Sequence, residues 1–327
     1  MASTTAQGNV GFFSNSLLLR TIGWANLWLM FAFLLNNILT FWVGLPGASL
    51  SGGALGILQW ALYPAAILVA IFWTRKNSDI SLREDSNAIS DMNTYFIRAC
   101  FWAVLLVGVV DAVISFMRIE ELLPLVFGEE LANNLGKSRF RGPFVHFPLI
   151  ILGFVIAART RTLGFHWLAL LIVIAELLIV LFRFVFSYEQ AFMADLVRYW
   201  YGALFLFASA YTLLEEGHVR VDILFANMQD RAKGIVNAIG SFFMGLPLCW
   251  SILLVGMGQK TSIINSPILN FETTQAGFGL YLKYQMAAFL GIFAISMMIQ
   301  FTSYFMAAMA DIRGEKGKYI PTAPGGH

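Results

Sequence analysis

Leu213-Leu214-Glu215-Glu216-Gly217-His218-Val219-Arg220-Val221-Asp222 interrupts an otherwise apolar run with an acid pair, a glycine and three further polar side chains. It follows Tyr199–Leu214, a stretch able to span a bilayer. It leads into Ile223–Arg231, where Leu224, Phe225 and Met228 recur at helical spacing beside Val221. The order reads as membrane helix, polar turn, interfacial helix.

Working outward, the chain of 327 residues is 58% hydrophobic and only 12% charged, with a mean hydropathy of +0.72. That is too apolar for a soluble domain of this length. A helix needs about 20 apolar residues to cross about 30 Å of hydrocarbon. Eight stretches qualify: Thr21–Val43, Gly53–Trp73, Phe96–Met117, Phe144–Ala158, Leu163–Phe186, Tyr199–Leu214, Gly234–Gly258 and Leu282–Ala310. Period-two alternation is absent, which argues against a transmembrane barrel. The expected fold is an all-α polytopic bundle of about eight spans. Inward-facing segments then carry the larger share of lysine and arginine, including Arg75, Lys76, Arg83, Arg159, Arg161, Arg231 and Lys233, which predicts both termini in the cytoplasm.

The polar N-terminus, Met1–Ser16, has no basic residue ahead of the first apolar run, so the first span is expected to stay uncleaved. Cys100 and Cys249 both lie in expected spans, where thiols act as small hydrophobes. The net charge of +2 and the lack of a basic block give no sign of nucleic acid. No phosphate-cradling loop, nucleophile turn or metal-binding helix motif appears, and the four histidines offer no paired axial ligands, so neither catalytic residues nor a cofactor or metal is expected.

Four features occur in order: Phe182-Arg183-Phe184-Val185-Phe186, then Ala194-Asp195-Leu196-Val197-Arg198-Tyr199, then Glu215-Glu216-Gly217-His218-Val219-Arg220-Val221-Asp222, then Asp230-Arg231. Over residues 165–312 the chain resembles the small permease (Q) subunit of tripartite ATP-independent periplasmic (TRAP) transporters. It departs from that family at Ala194-Asp195, where an acid pair is common, and at Gly277-Phe278-Gly279-Leu280-Tyr281, where a proline and tryptophan are. The resemblance implies a non-enzymatic membrane subunit in a bacterial inner membrane. Its partners would be a large membrane subunit carrying the sodium and substrate sites, and a periplasmic protein that delivers the substrate, an organic anion such as a carboxylate. It also implies that the Gly-His-Val-Arg-Val-Asp turn is cytoplasmic. Residues 161–312 then form the family-like four-helix domain, residues 1–160 a four-span extension and residues 313–327 a disordered tail. A self-sufficient transporter or channel is the alternative; it would need interior polar residues such as Asn36, Asn37, Asp111 and Glu176 to converge.

The resemblance makes Arg183, Asp195, Arg198, Glu215, Glu216, Gly217, His218, Arg220 and Asp222 candidates for contact with lipid or partner. Glu215 and Glu216 would end the sixth span in water. Gly217 would release the backbone, Asp222 would cap the following helix, and Arg220 would meet a phosphate or a partner's acid. Ser187–Arg198 reads as a helix lying in the interface, with Tyr188, Phe192 and Leu196 on one face. Ile119–Phe127 reads as a second such helix, broken near Pro124 and Gly128. Two intramembrane acids stand apart. Asp111, at about 3 kcal/mol for a lone charge in a span, is either a proton or ion group or a paired acid that fixes helix packing. Glu176 shares a helix face with Arg183, seven residues on, yet about 10 Å along the axis puts them beyond direct pairing.

Overall fold

The computed structural model describes residues 16–162, 165–188, 191–215, 225, 227–273 and 279–317. Among them the secondary structure is helical with no strand: α1 (Ser16–Phe41), α2 (Gly53–Lys76), α3 (Leu82–Ile119), α4 (Leu123–Leu135), α5 (Ser138–Arg141), α6 (Phe147–Arg159), α7 (Phe165–Val185), α8 (Ala191–Leu214), α9 (Asp230–Ile239), α10 (Leu246–Met257), α11 (Asn265–Asn270) and α12 (Lys283–Arg313). Helices are what lipid demands, because each backbone amide must find its partner within its own segment. Two π-helical segments, Gly142–His146 and Gly240–Gly245, join α5 to α6 and α9 to α10.

Among the described residues, seven helices are long and apolar enough to cross a membrane: α1, α2, α3, the run Ser138–Arg159, α7, the run Asp230–Met257, and α12. The sixth expected stretch, Tyr199–Leu214, lies within α8, which is not among the seven. At 24 residues α8 is long enough, but Arg198, Trp200 and the tyrosines at 199, 201 and 211 dilute its apolar character.

The chain folds into two compact units that interleave in sequence. The first comprises residues 1–90, 218–248 and 298–327. Here α1 and α2 run antiparallel, as two pairings show: Thr21 Oγ1 lies 2.9 Å from Thr74 Oγ1, while Gln59 Nε2 donates to Asn36 Oδ1 at 3.1 Å. Gly53, at the start of α2, has φ +67°, a conformation that a side chain would strain. Arg20 Nε donates to Asp85 at 2.6 Å and its Nη1 to the carbonyl of Asn77 at 2.8 Å, tying α1 to the turn before α3. Arg83 pairs with Asp311 at 2.5 Å, and Ser86 and Ser90 hydrogen-bond Ser303, so small polar residues glue the start of α3 to the end of α12. A Cβ at Gly245 would meet the Phe301 ring at 2.6 Å, so that glycine admits close helix packing; at Gly240 it would meet nothing within 4 Å, so close packing does not explain that glycine.

The second unit comprises residues 91–217 and 249–297. Its core joins Ile97, Phe101, Val104 and Val107 of α3 to Leu168 and Ala175 of α7, to Phe192, Leu196, Tyr199, Ala203 and Phe207 of α8, and to Phe289 of α12. Packing is therefore not divided at 160/161, where the sequence reading places a boundary. Gly153 lets α6 touch α3, since a Cβ there would lie 2.6 Å from the backbone nitrogen of Ala103. Arg98 donates to the carbonyls of Ala157 and Thr160, closing the C-terminus of α6.

Two sequence expectations concern the connecting helices. Residues 191–198 do not form a separate interfacial helix: they are the first turns of α8. Phe192 and Leu196 recur with Tyr199 and Ala203 at helical spacing, and that stripe is buried instead of lying on lipid head groups. The helix expected after Ile119 is α4, with Pro124 in its first turn and a kink at Gly128, where φ is +76°. The polar N-terminus before Ser16, the turn from Glu216 to Leu224, and the tail from Lys318 lie outside the described residues.

Candidate functional site

The second unit buries a chain of polar side chains whose centre is Asp111. α3 carries Asp111 and, one turn on, Ser115; the side chains of Asp111, Arg141 and His146 have no exposed surface. The π-helical segment Gly142–His146 puts Arg141 and His146, five residues apart, on one side of the chain, where ordinary helical spacing would separate them. Asp111 Oδ1 accepts from Arg141 Nη1 at 2.8 Å and lies 3.0 Å from His146 Nε2, while Oδ2 accepts from the Tyr281 amide at 3.1 Å. Arg141 also donates from Nη1 to Ser115 Oγ at 3.1 Å and from Nε to the carbonyl of Leu135 at 2.5 Å. Its guanidinium carbon stands 4.5 Å from the centroid of the Tyr281 ring, and that of Arg118 is 4.5 Å from the same ring.

From His146 the chain continues. Nδ1 is 2.7 Å from Tyr284 Oη, Gln285 Nε2 donates to that hydroxyl at 3.1 Å, and the Tyr199 hydroxyl donates to Gln285 Oε1 at 2.5 Å. One assignment satisfies the imidazole and the two hydroxyls: the ring carries its proton on Nε2, donates to Asp111 and accepts from Tyr284 on Nδ1, whereas Arg141 Nη2 is buried with no hydrogen-bond partner among the described residues. The carboxylate and guanidinium oppose each other, and the remaining groups follow as donors and acceptors in sequence. A buried network of this kind favours one packing of its helices, because losing further partners in a closed site is costly. Asp111 is thus a paired acid, with Arg141 and His146 as its partners.

Arg141 was not singled out in the sequence; the carbonyl of Leu135 and the side chains of Asp111 and Ser115 hold it inside the fold. His146 was read only as a poor haem ligand, and Tyr284 and Gln285 were not singled out. The available signal was that a lone acid within one span requires a base at similar depth in another, and Arg141 and His146 flank the start of the next apolar run.

The remaining candidate residues are dispersed. Glu176 is exposed at the middle of α7, and Arg183 is exposed in its last turn. Asp195 and Arg198 approach to 3.7 Å across one turn of α8, with the Arg198 side chain 73% exposed; such a solvated pair contributes at most about 1 kcal/mol. Glu215 ends α8 and hydrogen-bonds Tyr211 one turn back. Glu216, Gly217, His218, Arg220 and Asp222 fall outside the described residues.

With the helical order and the buried network established, comparison with known proteins becomes informative. Residues 170–310 match the family described as tripartite ATP-independent periplasmic transporters, DctQ component. This block is similar to the DctQ component, the small membrane component of TRAP transporters, and lies within a multi-pass, all-helical membrane protein. Comparisons with curated proteins and with solved structures find no match. The DctQ block supplies Tyr199, Tyr281, Tyr284 and Gln285 to the network, whereas Asp111, Arg141 and His146 precede the block. Buried charge and core packing both join the additional N-terminal helices to the DctQ helices within the second unit.

Proposed function

We propose that the chain is the small permease subunit of a TRAP-type secondary transporter in a bacterial inner membrane, with α8 as an eighth span beside the seven and both termini cytoplasmic. It supports a large sodium-coupled membrane subunit in the uptake of an organic anion, a carboxylate, delivered by a periplasmic binding protein. The observation that carries this reading is the DctQ match over residues 170–310. Residues 161–312 form the small-permease domain and residues 1–160 an N-terminal extension of it. The Asp111 network supports a scaffold role: its charges are paired, closed to solvent and held by three hydrogen bonds to one carboxylate, a poor arrangement for an ion that must enter and leave. Arg183, Asp195, Arg198 and the turn from Glu215 to Asp222 are assigned to contacts with lipid head groups or the large subunit.

Reconstitution tests the proposal. Proteoliposomes holding this chain with its large subunit, supplied with the periplasmic protein and a panel of labelled carboxylates, should show sodium-dependent uptake. The chain alone should show none. Sodium-dependent flux through the chain alone, or failure of a large polytopic subunit to copurify with it, would overturn the assignment.

A further inference from the structure

α7 is the most apolar and the least buried of the seven membrane-capable helices, with 11% of its span inside the protein. Leu168, Leu171, Ile172 and Ala175 hold one edge of it against the core of the second unit. Along the neighbouring flank, Ala169, Val173, Glu176, Val180 and Arg183 recur at intervals of four, three, four and three residues. That average of 3.5 is the repeat by which one helix presents a continuous seam to another. Val173 is 64% exposed and Val180 49%, and Glu176 and Arg183 are exposed as well.

Glu176 decides what covers this flank. It lies at the midpoint of a 21-residue helix, and among the described residues no hydrogen bond or ion pair engages it. Arg183 is about 10 Å along the axis and sits in the last turn, where its long side chain reaches the interface. A glutamate at the midpoint has no such escape, so an acid there faces protein. Two copies of this chain inserted the same way would bring both Glu176 carboxylates to one depth, an arrangement of like charges that disfavours a symmetric dimer on this flank.

We propose that the flank of α7 formed by Ala169, Val173, Glu176, Val180 and Arg183 is the docking seam for a transmembrane helix of the large subunit, which presents a basic or hydrogen-bond-donating side chain to Glu176. The inference rests on the functional reading above and adds to it the surface and the chemistry of the contact. Small Ala169 admits close approach, and the valines supply stiff, unstrained packing at the positions flanking the acid.

The test is site-specific cross-linking in the complete complex. A photoreactive amino acid at Val173 or Val180 of the full chain, co-expressed with its large subunit, should form an adduct with that subunit. The same probe at Ile174 or Leu181, exposed on the opposite flank, should not. Glu176→Leu should reduce copurified large subunit at least ten-fold without reducing the amount of chain in the membrane, and Glu176→Gln should retain part of the association. Adducts of equal yield from both flanks, adducts between two copies of this chain, or full copurification of Glu176→Leu would overturn the seam while leaving the functional reading intact. Recovery of the parent chain without any large subunit would overturn both.

Discussion

Replacing Asp111 with Asn tests whether the buried network is a stabilising lock. The substitution preserves shape, but the amide nitrogen must face donors, because Asp111 accepts from Arg141 and His146 on one oxygen and from the Tyr281 amide on the other. One side of the site therefore becomes donor against donor, and the guanidinium, with no exposed surface, loses its counter-charge. Removing one partner of a buried ion pair costs about 3–5 kcal/mol. A typical interhelical hydrogen bond in a membrane protein contributes about 0.6 kcal/mol, so the two regimes are distinguishable. Arg141→Met strands the carboxylate instead and falls in the same range. Combining Asp111→Asn with Arg141→Met removes both charges, and the double variant should lose at least about 1 kcal/mol less than the sum of the two single losses. Unfolding free energies of the full chain in lipid nanodiscs, measured by steric trapping, supply the cycle. Single losses below about 1 kcal/mol with an additive double variant would refute the argument, because that is how an exposed pair behaves.

Three further outcomes follow from the same structure. Single cysteines at Lys137 and Thr273 should react with an impermeant maleimide on intact cells and one at Asn227 should not; Cys100 and Cys249 are buried and add little background, and the reverse labelling would sink the proposed orientation. Gly153→Leu should destabilise by about 1–3 kcal/mol, because the new side chain must displace the backbone of Ala103; thermal unfolding indistinguishable from the parent would show that α6 can shift freely. Phe207→Ala, which removes a ring 5.7 Å from that of Phe101 and 5.0 Å from that of Phe289, should cost about 3–5 kcal/mol in the same nanodisc measurement, and a loss under about 1 kcal/mol would mean that lipid or neighbouring chains refill the space.

Much of the fold was legible because the membrane imposes a local rule. An apolar stretch of sufficient length must be helical, and its limits can be counted. The weak point was α8, where Arg198 and a run of aromatic residues sit between the interfacial and spanning readings. Phe192 and Leu196 show the same apolar spacing whether a stripe faces head groups or a protein core. Only the neighbouring helices distinguish the two, and here Phe101, Leu168 and Phe289 join those residues in one core. The similarity to the DctQ component was legible too, since it lies in short strings at fixed places along the chain.

The sequence by itself determined that this is an all-helical membrane protein, and it located the DctQ block and the lone acids Asp111 and Glu176. Tertiary structure alone decided that these acids have opposite fates. Asp111 meets Arg141, 30 residues on, and a backbone amide 170 residues on, whereas Glu176 points outward from the least buried span. Periodicity records which face of a helix a residue occupies and how deep it lies. It carries no record of which distant segment arrives opposite, and the energy of a buried charge depends almost wholly on that arrival.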